Sequence, residues 1–243
     1  MADTIPLFPL THGIFPDGML QLQIFEVRYL DLIKRCHQNQ TPFGVPWLRS
    51  GKEVQVPGEE PSMHQYGCLA HIREFEQVQP NFFRVVCQGG LRFELESVVS
   101  GPLGVWQGQV KYLPQDPEVD LPSHLQSHAD RLGKVIANAQ KQGVIDKLPI
   151  FPPYHLDQCG WLANRYAEAM DVEADIKQQL LSERKNNWGQ ININSIKDFV
   201  EPRLLSTRVI RLRCTIFGML KITAFAVLGI LCRRYRRRSH RFI

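Results

Sequence analysis

The chain has 243 residues, of which 44% are hydrophobic and 22% charged, and its formal net charge at pH 7 is +5. A chain of this length and apolar content can bury a proper core, which favours one domain or two small ones. The six cysteines form no CxxC pair, and the first six residues lack the charged start and apolar stretch of a secretory leader. The composition therefore argues against a disulfide framework and favours free thiols in a reducing cytoplasm.

The charge is distributed unevenly along the chain. Residues 1–201 contain 18 basic and 24 acidic residues, a net charge of −6, whereas 11 basic and no acidic residues follow Glu201. The positive net charge of the chain thus comes from its last 42 residues. It gives no indication of a nucleic-acid-binding face on the folded part.

Residues 1–113 are predicted to be rich in β-strands, and the first clear strand runs directly into a helix. Leu20, Leu22 and Ile24 alternate with polar residues, as on a half-buried strand. The apolar spacing then lengthens to that of an amphipathic helix, with a stripe made of Phe25, Tyr29, Leu30, Leu32 and Ile33. Two charged residues, Glu26 and Arg28, stand at the join.

Four further strand-like runs follow, at 66–78, 82–88, 91–99 and 104–113. Gly89-Gly90 separates the second run from the third and is predicted to be the turn of a hairpin. Several short strands with turn signals favour a small barrel or a sandwich.

The second part of the chain is predicted to be helical. Residues 114–122, rich in proline and acidic residues, are predicted to be a linker. Ser123 and Gln126 have the spacing of a capping box at a helix start, and Gly143 is a suitable stop. Further helices are predicted at 156–170, 172–183 and, more weakly, 193–206.

Several segments, in order and spacing, resemble the N-terminal substrate-recognition domain of the Lon protease family. They are "IPLFPL" (5–10), "IFPDGMLQLQIFEVRYLDLI" (14–33), "PFGV" (42–45), "YGCLAHI" (66–72), "GGLRFELES" (89–97) and "WLANRYAEAMDVEADIKQQLL" (161–181). The resemblance implies an α+β fold: a PUA-like β pseudo-barrel over 1–113, then a small helical bundle over 123–202. Small stand-alone proteins of this kind occur in bacteria. The structural motif that the resemblance assigns consists of Phe25, Glu26, Arg28, Tyr29 and Gly67.

A structural role and a binding role are both open for Glu26 and Arg28, and the structural role is the expected one. A carboxylate in the first helical turn is favoured by the helix dipole. Arg28 can lay its methylene groups on the core and pair its guanidinium locally.

Catalytic chemistry is not expected. A full Lon protease has ATPase and Ser–Lys protease modules, but this sequence has no GxxxxGK[ST] loop and no serine in a GxSxG context. His124 and His128 have a metal-ligand spacing on a helix, yet no third ligand is evident, so solvated histidines are expected. Neither a cofactor nor a metal is predicted.

The leading functional hypothesis is a non-catalytic module that binds unfolded or degron-bearing polypeptides, with an ATP-dependent protease as a candidate partner. The predicted contact residues are Ile14, Phe15 and Pro16, in a loop among turn formers, and strand addition at a barrel edge is a candidate mode. The alternative for Ile14 and Phe15 is that they plug the barrel end. An RNA-binding module is the second hypothesis, which the −6 charge of residues 1–201 disfavours. A small hydrolase, the third, lacks a nucleophile–base set.

The tail over 203–243 contains an apolar stretch, 214–232, that is interrupted by Lys221 and bordered by arginines. Nineteen residues of helix span about 28 Å, close to a bilayer's hydrocarbon thickness. Three interpretations stay open: a membrane anchor, an amphipathic basic segment on an anionic membrane, or an altered reading frame appended to a normal domain. The protein is accordingly expected in the cytoplasm, or associated with a membrane through 214–232.

Overall fold

The computed structural model describes residues 3–54, 58, 60–169 and 173–182, all of which belong to one compact unit. The strands are β1 (Asp3–Leu7), β2 (Met19–Ile24), β3 (Phe43–Ser50), β4 (Ser62–Gln79), β5 (Phe82–Ser100) and β6 (Trp106–Tyr112). The α-helices are α1 (Val27–Asn39), α2 (Gln126–Lys141), α3 (Cys159–Ala169) and α4 (Ala174–Ser182). Short 3₁₀ turns cover Pro102–Gly104, Ser123–Leu125 and Ile145–Lys147. The predicted α+β class is confirmed.

Hydrogen bonding joins five of the strands, β5-β4-β3-β1-β6, into a ring, and β2 is added to it by pairing with β5. The order is β2-β5-β4-β3-β1-β6, and β5 also pairs with β6, which closes the sheet. All pairings are antiparallel except that of β1 with β3. The first half of β5 pairs with β2 and its second half with β6, so this strand bends from one part of the sheet into the other.

The predicted turn at Gly89-Gly90 is wrong, because β5 runs through both glycines and the hairpin turns at Pro80-Asn81 instead. The glycines serve a close approach between chain segments. The Gly89 N–H donates to the Gly18 carbonyl at 2.9 Å, and a Cβ on Gly89 would lie 2.0 Å from the Phe15 carbonyl oxygen. Glycine within a strand commonly marks such an approach.

The strand-to-helix join differs from the prediction at one position. Tyr29, Leu30, Leu32 and Ile33 are buried on α1, as expected, but Phe25 is 43% exposed. The reason is that α1 begins only at Val27, with Glu26 in an extended N-cap conformation, so Phe25 never enters the helical stripe.

Two buried clusters form the core of the strand part. The larger lies between α1 and the sheet and includes Ile33, Phe43 and Phe83, each fully buried. The smaller contains Leu7 and Phe93 and lies between β1, β4, β5 and β6. Each buried large side chain contributes about 1.5–3 kcal/mol of transfer free energy.

The start of the helical part corrects two predictions. No capping box forms: Pro122 is the N-cap of the 3₁₀ turn, no side chain caps it, and the Gln126 amide donates to the Asp130 carboxylate at 3.1 Å. The fixed φ of the preceding proline organises this start without a hydroxyl cap. His128 is buried rather than solvated, and its ring meets Tyr166 edge-on.

Two other expectations for this region, a helix stop at Gly143 and an exposed His124, agree with the structure. Gly143 follows α2 with φ of +65°, and the Val144 N–H donates to the Ala139 carbonyl at 2.9 Å, as in a Schellman C-cap. His124 is exposed. No group of three or more His, Cys, Asp or Glu suited to a metal ion occurs in the described part of the chain.

Residues 113–122, between β6 and the 3₁₀ turn at Ser123–Leu125, lie in no named helix or strand, yet they are held by hydrogen bonds and an ion pair. Asp116 forms an ion pair with Arg92 and accepts a hydrogen bond from the Asn164 amide at 3.1 Å. The Leu121 N–H donates to the Asp157 carbonyl at 2.7 Å. The limits drawn for this linker, and for the two parts it connects, stay predictions.

The fourth helical segment (193–206), the tail (203–243) and the apolar stretch 214–232 lie outside the described residues. None of the helices within the described ranges is long and apolar enough to cross a membrane. Cys36, Cys68, Cys87 and Cys159 are free and buried.

Candidate functional site

The predicted contact loop lies inside the molecule. Ile14 and Phe15 are each 1% exposed, and the Phe15 ring meets Trp47 edge-on. The Phe15 N–H donates to the Glu168 carboxylate at 3.0 Å, and the carbonyl of half-buried Pro16 accepts from Arg165. Ile14 and Phe15 are thus buried, and whether they plug a barrel end stays a prediction. Peptide binding by these residues stays a prediction, and it would require the loop to open.

A different surface carries exposed apolar side chains. Nine large hydrophobic residues in the described ranges are exposed. Four of them are next in sequence to Arg28 or to a residue that bonds to it, namely Glu26, Glu53 or Gly104. These four are Phe25, Val27, Val54 and Leu103, which are 43%, 82%, 47% and 70% exposed. Exposed apolar side chains that gather at one place indicate a binding surface more strongly than scattered ones.

Arg28 holds three chain segments together beneath this surface. Its Nε lies 3.1 Å from Glu26 Oε2, its Nη1 donates to the Gly104 carbonyl at 3.3 Å, and its Nη2 donates to the Glu53 carbonyl at 3.2 Å. The guanidinium also lies 4.3 Å from the centre of the Tyr29 ring. Since Arg28 is only 8% exposed, these bonds fix the start of α1, the loop after β3 and the turn before β6 relative to one another.

Leu103 occupies a strained turn. Its φ of 58° and ψ of 17° lie in the left-handed region, which costs a non-glycine residue about 1–2 kcal/mol. The turn is closed by the Gly101 N–H, which donates to the Val105 carbonyl at 2.8 Å. Strain of this kind tends to occur at functional sites. Leu103 was not predicted as a contact residue. The signal in the sequence is an apolar residue inside the turn sequence Gly101-Pro102-Leu103-Gly104.

Between these segments lies a solvent-open pocket of about 360 Å³, here called the Val27–Leu103 pocket. It is lined by Glu26, Val27, Arg28, Asp31 and Leu103. This volume lies at the small end of the range for ligand sites, so it suits one or two side chains of a larger ligand. The lining combines two apolar side chains, two carboxylates and one buried guanidinium.

Tyr29 packs against Arg28 and stays a neutral phenol. Burial raises the pKa of Tyr29 to about 12, and the opposing effect of the Arg28 charge is smaller. The carboxylates of Glu26 and Glu53 act on this phenol in the same direction as burial. Its buried hydroxyl has no hydrogen-bond partner among the described atoms. The residue therefore provides an aromatic floor under Arg28.

Gly67, assigned to the same motif, has a packing role. A Cβ at this position would lie 2.5 Å from the Phe93 ring and 2.8 Å from the Val45 carbonyl oxygen. Gly67 thus lets β3 and the Phe93 ring approach β4 closely. It does not line the Val27–Leu103 pocket.

The free strand edges offer little room for an added peptide strand. The Met19 N–H at the start of β2 donates to the Pro149 carbonyl at 3.3 Å, and Gly18 forms a bridge with Ile150. The part of β4 beyond its pairing with β3 carries charged residues, which protect an edge from further pairing. These are Arg73, Glu74 and Glu76.

The fold has relatives among solved structures. The Lon N-terminal domain protein from Xanthomonas campestris is 23% identical, with a TM-score of 0.56, over 75% of this chain and 92% of that chain. The N-terminal domain of a Lon protease from the Mycobacterium avium complex is 15% identical, with a TM-score of 0.52, over 81% of this chain and 99% of that one. No curated protein matches the chain significantly.

The family assignment rests on a match to most of the chain. The family model described as the ATP-dependent protease La (LON) substrate-binding domain matches residues 4–186. The matched range contains every described helix and strand except the first residue of β1. The chain therefore belongs to the family of LON substrate-binding domains.

Proposed function

We propose that this domain binds unfolded or degron-bearing polypeptides without cutting them, and that the Val27–Leu103 pocket is the contact site. One observation carries the proposal: Val27 and Leu103, 82% and 70% exposed, stand on backbone that the buried Arg28 holds in place. A rigid platform loses little conformational entropy when it binds, so more of the contact energy is retained as affinity. The family supports a substrate-binding role in general.

The expected interaction is weak. Covering one exposed Val or Leu side chain contributes about 1.5–3 kcal/mol, and the loss of freedom on association offsets much of the total. Dissociation constants in the range of roughly 10–100 μM follow for a short segment with one apolar pair. Contacts of this strength suit a module that samples many unfolded chains and releases them.

The side chains that line the pocket suit binding rather than catalysis. None of the described side chains that line it is a serine, threonine, cysteine or histidine. An ATP-dependent protease would then be the partner that unfolds and cuts the bound polypeptide.

Arginine placement in the described part of the chain disfavours the RNA-binding alternative. Arginines that contact phosphates need guanidinium groups that reach solvent. Three arginines are instead buried in ion pairs with carboxylates of the same chain: Arg28, Arg92 and Arg165.

The test is a titration of the full chain into a fluorescein-labelled peptide that has a Gly-Ser background and one Leu-Phe pair, read by anisotropy. Wild type should bind, and the double variant Val27→Ser/Leu103→Ser should bind at least about tenfold more weakly, since two apolar contacts are lost. The matched control is Val78→Ser/Leu91→Ser, which removes the same two residue types from exposed positions outside the pocket. Absence of binding by wild type, or equal weakening by both double variants, would contradict the proposal.

A further inference from the structure

We infer that the Val27–Leu103 pocket selects segments in which a lysine or arginine lies beside a bulky apolar residue, and rejects acidic segments. This inference rests on the proposed function and specifies its substrate class. It follows from how charge is arranged around the apolar side chains.

Among the described residues that line the pocket, Arg28 is the one cation, and it is already engaged. The Arg28 side chain is 7% exposed, and its three nitrogen atoms contact the Glu26 carboxylate and two backbone carbonyls. A ligand carboxylate would have to compete with Glu26 for this guanidinium. The pocket is therefore poorly suited to an acidic segment.

Carboxylates outnumber the cation at this place. Glu26 and Asp31 line the pocket, and the Glu53 carboxylate lies near enough to act, with Glu26, on the Tyr29 phenol. Glu26 is also the N-cap residue of α1, where its negative charge offsets the partial positive charge of the helix terminus. Among the described residues that line the pocket, carboxylates thus outnumber cations by two to one, and the net charge of residues 1–201 is −6, also acidic.

Asp31 is the carboxylate best placed to meet a ligand cation. Its side chain is 49% exposed, and its ion pair with Arg35, at 3.1 Å, lies at the surface, where Arg35 is itself 58% exposed. Exposed pairs of this kind are weak and can exchange partners. A lysine or arginine next to the apolar residue can lay its methylene groups on Val27 or Leu103 and direct its charge to Asp31.

The test uses four labelled peptides with the same Gly-Ser background. Three carry the Leu-Phe pair flanked by lysine, serine or glutamate, and the fourth carries the lysines with serines in place of the pair. Affinity for the full chain should fall in the order lysine, serine, glutamate by roughly two- to fivefold a step. The lysine peptide without the apolar pair should bind more weakly than the complete one, and the differences should shrink at high salt.

Asp31→Asn should bring the affinities for the lysine- and serine-flanked peptides to within about twofold of each other. The matched control is Glu76→Gln, because Glu76 is another exposed carboxylate paired with an arginine, Arg84, at 2.7 Å. Glu76→Gln should leave the order of affinities unchanged, and thermal melting should show that both variants are folded.

The outcomes separate the two proposals. Equal binding of all three flanked peptides, a preference for lysine over serine that Asp31→Asn leaves undiminished, or full binding of the lysine peptide without its apolar pair overturns the inference. If the serine-flanked peptide still binds and loses affinity in Val27→Ser/Leu103→Ser, the proposed function stands without it. If no peptide binds wild type, both fall.

Discussion

At the scale of single residues, Glu26 and Arg28 explain why charges stand where a plain core would have none. Arg28 bonds to Glu26, Gly104 and Glu53, and it thereby connects segments that are far apart in the chain. The sequence predicted a local pairing for Arg28. It could not predict the two carbonyl acceptors, because their positions depend on how the loop after β3 and the turn before β6 come together.

Leu103 provides a test in which stability and binding change in opposite directions. Leu103→Gly should raise the free energy of unfolding by about 0.5–1.5 kcal/mol, because glycine adopts the left-handed backbone of this turn without strain. The same change should weaken binding of the Leu-Phe peptide several-fold, since an exposed apolar contact is lost. Urea unfolding and anisotropy measure the two effects. Weaker binding accompanied by lower stability would contradict the assignment of Leu103 as a strained contact residue.

At the scale of secondary-structure elements, β5 is the element that the local signal misplaced. A Gly-Gly pair between two apolar runs is a reasonable hairpin signal. In the folded chain the same pair lies within one 19-residue strand and lets the segment after Phe15 approach it. The helices followed their sequence patterns more closely, because a 3.6-residue apolar period is a property of the element itself. The Phe25 error concerns one residue at a boundary, where such patterns are least reliable.

Gly89→Ala should lower the free energy of unfolding by more than about 2 kcal/mol. The added Cβ would lie 2.0 Å from the Phe15 carbonyl oxygen, and because this is a backbone atom, a side-chain movement cannot remove the clash. Chemical denaturation measures the change. Gly133→Ala, within α2, is the control: its nearest neighbour is the end of the Leu156 side chain at 3.3 Å, and alanine favours a helix by up to about 1 kcal/mol. A tolerated Gly89→Ala would show that Gly89 is not needed for this approach.

At the scale of the whole molecule, a buried joint attaches the helices to the strands. Glu168 of α3 accepts the Phe15 N–H at 3.0 Å and pairs with Arg165 at 3.2 Å, with both side chains at most 4% exposed. The Gln178 amide of α4 bonds the N–H and carbonyl of Tyr66 on β4, each at 3.0 Å. Phe15, Trp47 and Leu181 share one buried cluster across this joint. Opening it would expose both apolar surface and charge.

Glu168→Ala should lower the free energy of unfolding by about 3–5 kcal/mol, because the Arg165 charge would stay buried without its partner and the Phe15 N–H would lose its acceptor. Urea unfolding followed by circular dichroism measures the loss. Glu168→Gln, which keeps an oxygen acceptor, should cost less. Glu76→Ala, at an exposed ion pair, should change stability by less than about 1 kcal/mol. An effect of Glu168→Ala as small as that of Glu76→Ala would show that the joint contributes little.

The sequence by itself determined the family, the β-rich first part, the amphipathic helices and the end of α2 at Gly143, because these depend on periodicity and on residues with restricted or unusual backbone geometry. Tertiary structure alone decided which apolar residues are exposed. Ile14 and Phe15 have the composition of a contact loop, but Ile14 is buried in the cluster between α1 and the sheet, and Phe15 is buried with Trp47 and Leu181, which are distant in sequence. Val27 and Leu103 come together only because Arg28 joins α1 to the turn before β6. Hydrophobicity indicates that a side chain gains from burial, whereas the packing of the whole chain determines whether a partner is available to bury it.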